Sequence, residues 1–283
     1  LFCLILGSRH VYPVFFSFSK FFSNIHNMYK HLTKDDWKHL LKIPDEYVVD
    51  TLIVNGAGKK EEALNTFKNI LSKNKQVSKV SNLQDSFFQN VLEFNLKEKK
   101  IWFDVAYGGA YLSELIHIAC LFGSKKNFLV GSCGGLQKEL KTGDIIIPTY
   151  TYGNESTTRM YQESGDNKHY SDEKLSSNIK NAIDKKYTVR QGPLITCQSM
   201  MAETQEDVDT WEKEGYLGVE MESSTFFAIS NHFNVPSTAI IHISDNLVKN
   251  ELVGDKNYAL TKQLREDLKE YKYKTILEKI SSE

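Results

Sequence analysis

Arginine is nearly absent from this sequence. Only Arg9, Arg159, Arg190 and Arg265 occur among 35 basic side chains, so lysine carries almost all of the positive charge. Lysine is a point charge without the planar fork of a guanidinium, so a site built on several bidentate arginine contacts is excluded over most of the chain. The net charge of −1 leaves no basic field for nucleic acid. Cysteine is scarce as well. Cys3, Cys120, Cys133 and Cys197 show neither a close pair nor a metal-ligand spacing, so no metal site is expected and a reducing compartment fits best. No apolar run is long enough for a membrane helix, and no Pro-rich or Ser-rich linker divides the chain. The expected setting is cytoplasmic, with no nucleic-acid partner and no membrane partner.

What is present suffices for a large core: 283 residues with 41% hydrophobic content, an ordinary size for one α/β domain. Residues 1–27 stand apart. They contain no acid and are rich in Phe and Ser. Their run Leu1-Phe2-Cys3-Leu4-Ile5-Leu6 is too short to cross a bilayer and lacks the basic start of a secretory signal. We read 1–27 as a leader or targeting segment that is not folded, an organelle-targeting peptide included, and 28–283 as the folded domain. A folded role for 1–27 is the alternative.

From there strand and helix patterns alternate. Thr51-Leu52-Ile53-Val54 reads as a buried strand and 59–71 as an amphipathic helix. The runs 91–96 and 101–105, parted by Lys97-Glu98-Lys99-Lys100, predict a hairpin. Further helices are predicted over 112–122, 175–183, 207–214, 223–231 and 256–280, and further strands over 127–130, 144–147 and 238–243. Gly123 stands where a helix cap belongs. Alternation of this kind predicts an α/β layered fold.

Three segments carry candidate chemistry. Val130-Gly131-Ser132-Cys133-Gly134-Gly135 is a glycine-rich turn after an apolar segment. Gly218-Val219-Glu220-Met221-Glu222-Ser223-Ser224 sets two carboxylates around a methionine, just before the apolar run Phe226-Phe227-Ala228-Ile229. A Glu that opens a helix there is held rigidly, and aimed outward it suits two neighbouring sugar hydroxyls. A solvated acidic helix start explains the same string. Ile240-Ile241-His242-Ile243-Ser244-Asp245-Asn246 is a strand that ends in an acid. In this order the three segments resemble the nucleoside phosphorylase family, which includes purine nucleoside phosphorylases, uridine phosphorylases and related nucleosidases. The resemblance runs from about residue 50 to residue 246. It implies a single α/β domain of three layers, with a central mixed sheet flanked by helices and an active site at strand ends. It also implies cleavage of the bond between ribose and base, with phosphate or water as the incoming group.

Such cleavage needs the departing base protonated or hydrogen-bonded, and the cation-like sugar held in place. A carboxyl at the end of an apolar strand is partly desolvated and holds a proton near neutrality, which makes Asp245 the candidate acid. An Asp capping the next loop is the plainer reading. The resemblance assigns Ser244-Asp245 to purine recognition and Glu222 to the ribose hydroxyls, with Met221 packing on the sugar and Glu220 beside them. It puts Gln198 and Met200 at the base pocket, Met200 standing where an aromatic is usual. The stretch 154–159 is similar to a polar segment that approaches the substrate in some relatives. A histidine from a neighbouring subunit is implied for the ribose 5′-hydroxyl, His39 first and His31 second, within a homo-oligomer, dimer or hexamer.

The anion subsite is where the pattern departs. Gly56 and Gly58 supply a loop between strand and helix whose N–H groups suit an anion, and Ser132 supplies a hydroxyl. At the places of two family arginines stand Lys60 and Leu129. A charge-assisted hydrogen bond is worth roughly 1.5–3 kcal/mol, so losing two costs on the order of 3–6 kcal/mol. Phosphorolysis of purine nucleosides, with inorganic phosphate as co-substrate and no cofactor, is the first expectation. Hydrolysis is the second, with Glu61 positioning water, although an acid in the first turn of a helix has an ordinary place there. A nucleoside-binding protein with decayed catalysis is the third.

Overall fold

Strand residues alternate between the two faces of a sheet, and here that alternation sorts them into two cores. Leu52 and Val54 of β1 (Thr51–Gly56) pack in one, and Ile53 in the other. β1 is apolar on both faces because it lies inside a parallel sheet covered on each side. It pairs in parallel with β4 (Lys99–Ala106) and with β5 (Lys126–Gly135). The computed structural model describes residues 28–83, 88, 91–162 and 165–282. The leader expected over 1–27 lies outside them.

β2 (Val77–Asn82) and β3 (Leu92–Leu96) extend the sheet beyond β4, and β3 and β4 form the expected antiparallel hairpin. On the other side of β1 the sheet curls. β5 pairs in parallel with β10 (Ser237–Asn246), which meets β6 (Ile145–Tyr152) antiparallel. β6 lies parallel to β8 (Val189–Thr196), and β8 parallel to β9 (Gly218–Glu220). β9 then returns to β5 through Gly134↔Val219 and Gly135↔Gly218. Five strands thus close a ring, and β7 (Lys168–Tyr170) pairs with β6 outside it. The closure needs glycine, since a Cβ on Gly218 would stand 2.6 Å from Cys133 Sγ and 3.0 Å from the Gly134 carbonyl oxygen.

Helices cover both faces. One core gathers Leu112, Leu115 and Phe226 from α3 (Gly109–Leu121) and α7 (Ser223–His232). The other gathers Phe67 of α2 (Lys60–Lys73), Ile179 of α5 (Glu173–Ala182) and Ile276 of α9 (Lys262–Ser282). The remaining helices are α1 (Lys34–Leu40), α4 (Ser156–Tyr161), α6 (Gln205–Lys213) and α8 (Lys256–Leu260). This is the α/β architecture with a central mixed sheet between helices.

The structure adds α1, β2, α4, β7 and β9, which no expected element covers, and it differs in two further places. The long helix over 256–280 is broken at Thr261, which leaves the helical region (φ −92°, ψ 8°) as the C-cap of α8. Asp255 caps the short piece by accepting from Tyr258 N, and Arg265 stacks on the Tyr258 ring at 3.4 Å, so the break seats Tyr258 at the cleft described below. β8 is likewise absent from the expected elements, and it contains Gly192-Pro193. It is carried by a ladder irregularity on its partner β6 between Pro148 and Thr151.

Phe67 stacks face to face on Phe103 at 3.7 Å and edge-on against Tyr273 at 5.0 Å, without exposure. Phe67→Ala should therefore cost about 3–5 kcal/mol of stability, read as a lower urea midpoint with an unchanged slope.

Candidate active site

Strand ends and glycine backbones converge on one cleft of about 280 Å³. Gly56, Ser132, Glu222 and Asp245 line it, with the exposed side chains of Tyr107 and Met200 at its rim. The chain positions are far apart, and each is brought there by a different strand end.

Glu222 stands between β9 and α7, at the N-cap position of the helix. Its carboxylate is not aimed at solvent, as the helix-start reading predicts, but turned inward. Oε1 accepts from Gly108 N at 2.8 Å, and a Cβ on Gly56 would lie 2.5 Å from Oε2. Only glycine permits that approach. Gly108 itself has φ +77°, a backbone that other residues adopt at a cost. The capping is done by Glu220. Its Oε2 accepts from Glu222 N (2.8 Å) and Ser223 N (2.7 Å), and its Oε1 from Thr196 Oγ1 (2.6 Å). Glu220 lines the cleft, yet both oxygens are engaged, so it positions Glu222 rather than facing a ligand. Burial raises the pKa of both carboxyls, and for Glu222 the charge of Glu220 adds to it. Three donors on Glu220 against one on Glu222 favour leaving the charge on Glu220.

Asp245 is aimed by an irregularity in its strand. Ile243 pairs with Cys133 and Asp245 with Gly134, so Ser244 is an extra residue in β10 and resets which face follows it. Ser244 Oγ lies 3.1 Å from the Cys133 carbonyl oxygen and also bonds Asp245 Oδ1. One hydroxyl proton serves only one acceptor. Both contacts are satisfied when Asp245 itself is protonated and donates to Ser244, which donates to Cys133. Burial pushes Asp245 up to about 6, with the Ser244 bond acting the other way.

A second acid in the cleft had no signal in the sequence. Glu203 follows a single 3₁₀ turn, Met200–Ala202, and burial, then the charge of Asp245, push it up to about 7. Tyr107, Leu247 and Tyr258 line the same space and were likewise unmarked, because no spacing pattern distinguishes a rim residue.

The other expected site residues divide. Met221, Met200 and Ser244 line the cleft. Gln198 does not. Its amide accepts from Gly109 N and donates to the Met221 carbonyl, both at 3.0 Å, tying the start of α3 to the Glu222 segment. Lys60 pairs with buried Asp104 at 3.0 Å and lies 5.0 Å over the Tyr111 ring, outside the cleft lining. Glu61 is exposed in the first turn of α2, and His39 is exposed on α1, neither of them lining the cleft. In the stretch 154–159, Glu155 accepts from Ser224 and from Thr225 (3.0 Å), so it docks on the start of α7. Among the described residues no cluster of three His, Cys, Asp or Glu could hold a metal, and no helix is long and apolar enough to cross a membrane.

Against this geometry, residues 109–271 match the family model described as the phosphorylase superfamily. The chain is 29% identical over 145 residues to a purine nucleoside phosphorylase DeoD-type of Clostridium novyi, 50% of this chain and 60% of that protein. It is 30% identical over 125 residues to a guanosine phosphorylase of Halorubrum lacusprofundi, 44% of this chain and 52% of that one. The matched stretch thus spans less than two thirds of either relative's length. A crystal structure of uridine phosphorylase from Vibrio fischeri shares the fold, with a TM-score of 0.68 at 19% identity over 83% of this chain and 93% of that one.

Two measurements check the site as built. The raised pKa of Asp245 means that the folded state holds a proton that the unfolded state has lost between pH of about 4 and 6. Its contribution is complete below that window and lost as pH rises through about 6. Asp245→Asn should flatten this part of the decline of Tm with pH and raise Tm at pH 8 relative to the parent. Gly56→Ala drives a methyl group into Glu222 and should cost about 1–3 kcal/mol in chemical denaturation.

Proposed function

This chain belongs to the phosphorylase superfamily, and from that premise we propose that it cleaves the N-glycosidic bond of purine nucleosides by phosphorolysis. The observation that carries the reading is the meeting of Glu222 and Asp245 in one cleft with Gly56 and Ser132. Glu222, held by Gly108 N, hydrogen-bonds the two ribose hydroxyls, as donor to one and acceptor from the other, and fixes the sugar, while Met221 lines the cleft beside it. Asp245 enters as the neutral acid. As the bond from ribose C1′ to the base breaks, its electron pair leaves with the base and the Asp245 proton moves to the purine five-membered ring. A phosphate oxygen then bonds C1′ from the side of Gly56, Gly58 and Ser132. Burial of Asp245 supports its holding a proton close to neutrality, where an acid catalyst is most effective.

Hydrolysis is the second reading. It is favoured by the engagement of Lys60 with Asp104, which keeps that charge from the anion subsite. Exposed Glu61, outside the cleft lining, does not supply the water-positioning group. The homo-oligomer belongs to the same proposal, with sedimentation as its check.

The full chain is incubated with inosine, adenosine and uridine, with and without phosphate, and free base is followed. Release of hypoxanthine or adenine that requires phosphate is the expected result, with Glu61→Gln unchanged and Asp245→Asn slowed by about a hundredfold. Equal release without phosphate would establish hydrolysis instead. Binding of nucleoside with no release of any base would end both readings.

A further inference from the structure

A buried cation lies next to the glycine-rich end of β5, and none of the chemistry above uses it. Lys272, on α9, is 1% exposed. Its Nζ donates to the Gly131 carbonyl oxygen and to Nδ1 of His242, the latter at 2.7 Å. His242 is buried too, and its Nε2 has no hydrogen-bond partner among the described residues. No carboxylate among them pairs with Lys272. The neighbouring cations of α9 are engaged elsewhere, Lys269 with Glu62 of α2 and Arg265 with the Tyr258 carbonyl. The Cys133 thiol near Lys272 is held neutral by burial. An ammonium taken out of water without a counter-charge is destabilising by several kcal/mol, so stability does not account for it.

Its position does. The ladder between β1 and β5 ends at Asn55↔Val130, and just beyond it β5 contributes Ser132 to the cleft that Gly56 also lines. The Gly131 carbonyl and the Ser132 N–H belong to one trans peptide and point opposite ways. A cation on the carbonyl oxygen polarises that peptide and strengthens its N–H as a donor. We propose that Lys272 is a positioning residue of the anion subsite, lending positive charge to an incoming phosphate through the Gly131–Ser132 peptide, in a segment of sequence without arginine. This rests on the phosphorolysis reading. Burial lowers Lys272 to about 7, so an anion beside Ser132 would help to keep it charged.

Lys272→Met in the full chain tests it. The variant removes a desolvated charge at similar volume, so its Tm should be unchanged or higher. The KM for phosphate should rise about tenfold, the scale of one charge-assisted hydrogen bond, while the KM for nucleoside and kcat at saturating phosphate stay within about twofold. An unchanged KM for phosphate overturns the proposal, as does a common fall of Tm, kcat and both KM-based efficiencies, the mark of a purely structural lysine. Should Lys272→Met not fold, His242→Leu decides by the same readout, since it strips the ammonium of its second acceptor: a raised KM for phosphate supports the role and an unchanged one overturns it. A parent protein whose base release ignores phosphate would remove the phosphorolysis reading itself and this inference with it.

Discussion

One buried carboxylate organises the cleft. Glu222 reaches from the start of α7 to the Gly108 amide after β4 and to the Cα of Gly56 at the end of β1. Three segments otherwise distant in the chain are held in register by that contact. Because a Cβ at Gly56 has no room, and the Gly108 backbone is left-handed, the contact selects glycine at both places. Gln198 repeats the tie one residue further on, between Gly109 and Met221. Loss of the Glu222 contact would loosen the strand ends on which every other site residue stands.

The electrostatics of the cleft are unusual for a protein proposed to bind phosphate. Its lining holds Glu203, Glu220, Glu222 and Asp245, all with pKa values raised chiefly by burial, and no arginine among the described residues. Acids kept neutral can donate protons to a base, which an ionised cluster cannot. The nearby basic groups are engaged elsewhere or buried. Lys60 serves Asp104, and Lys272 sits behind the Gly131 carbonyl. The cleft lining itself offers backbone groups of Gly56 and Gly58 and the Ser132 hydroxyl.

Curling of the sheet sets where those groups meet. The ring from β5 through β10, β6, β8 and β9 back to β5 closes at Gly134, Gly135 and Gly218, where Cys133 Sγ and the Gly134 carbonyl leave no room for a Cβ on Gly218. The extra residue at Ser244 falls in the same region. A regular strand would have sent the Asp245 side chain to the opposite face, into the helix layer. The break at Thr261 adds Tyr258 to the rim from a segment that helical periodicity alone carries straight through.

Much of this was legible from the residues. Apolar runs of four to six, the hairpin around residues 97–100 and the buried strand β1 reflect local rules of period, which need no partner. The glycine-rich stretch 130–135, which reads as a turn, is instead the end of strand β5, because pairing with β10 and β9 extends it. Tertiary structure alone decided the rest: that Glu220 caps while Glu222 faces the cleft, that Lys60 is claimed by Asp104, that Glu203 joins Asp245, and that Lys272 lies behind Gly131. Apart from the short reach of Glu220 to Glu222 N and Ser223 N, those outcomes turn on groups far apart in the chain, 141 residues in the bond from Lys272 to Gly131. No local period encodes which of two adjacent carboxylates will find its donors first.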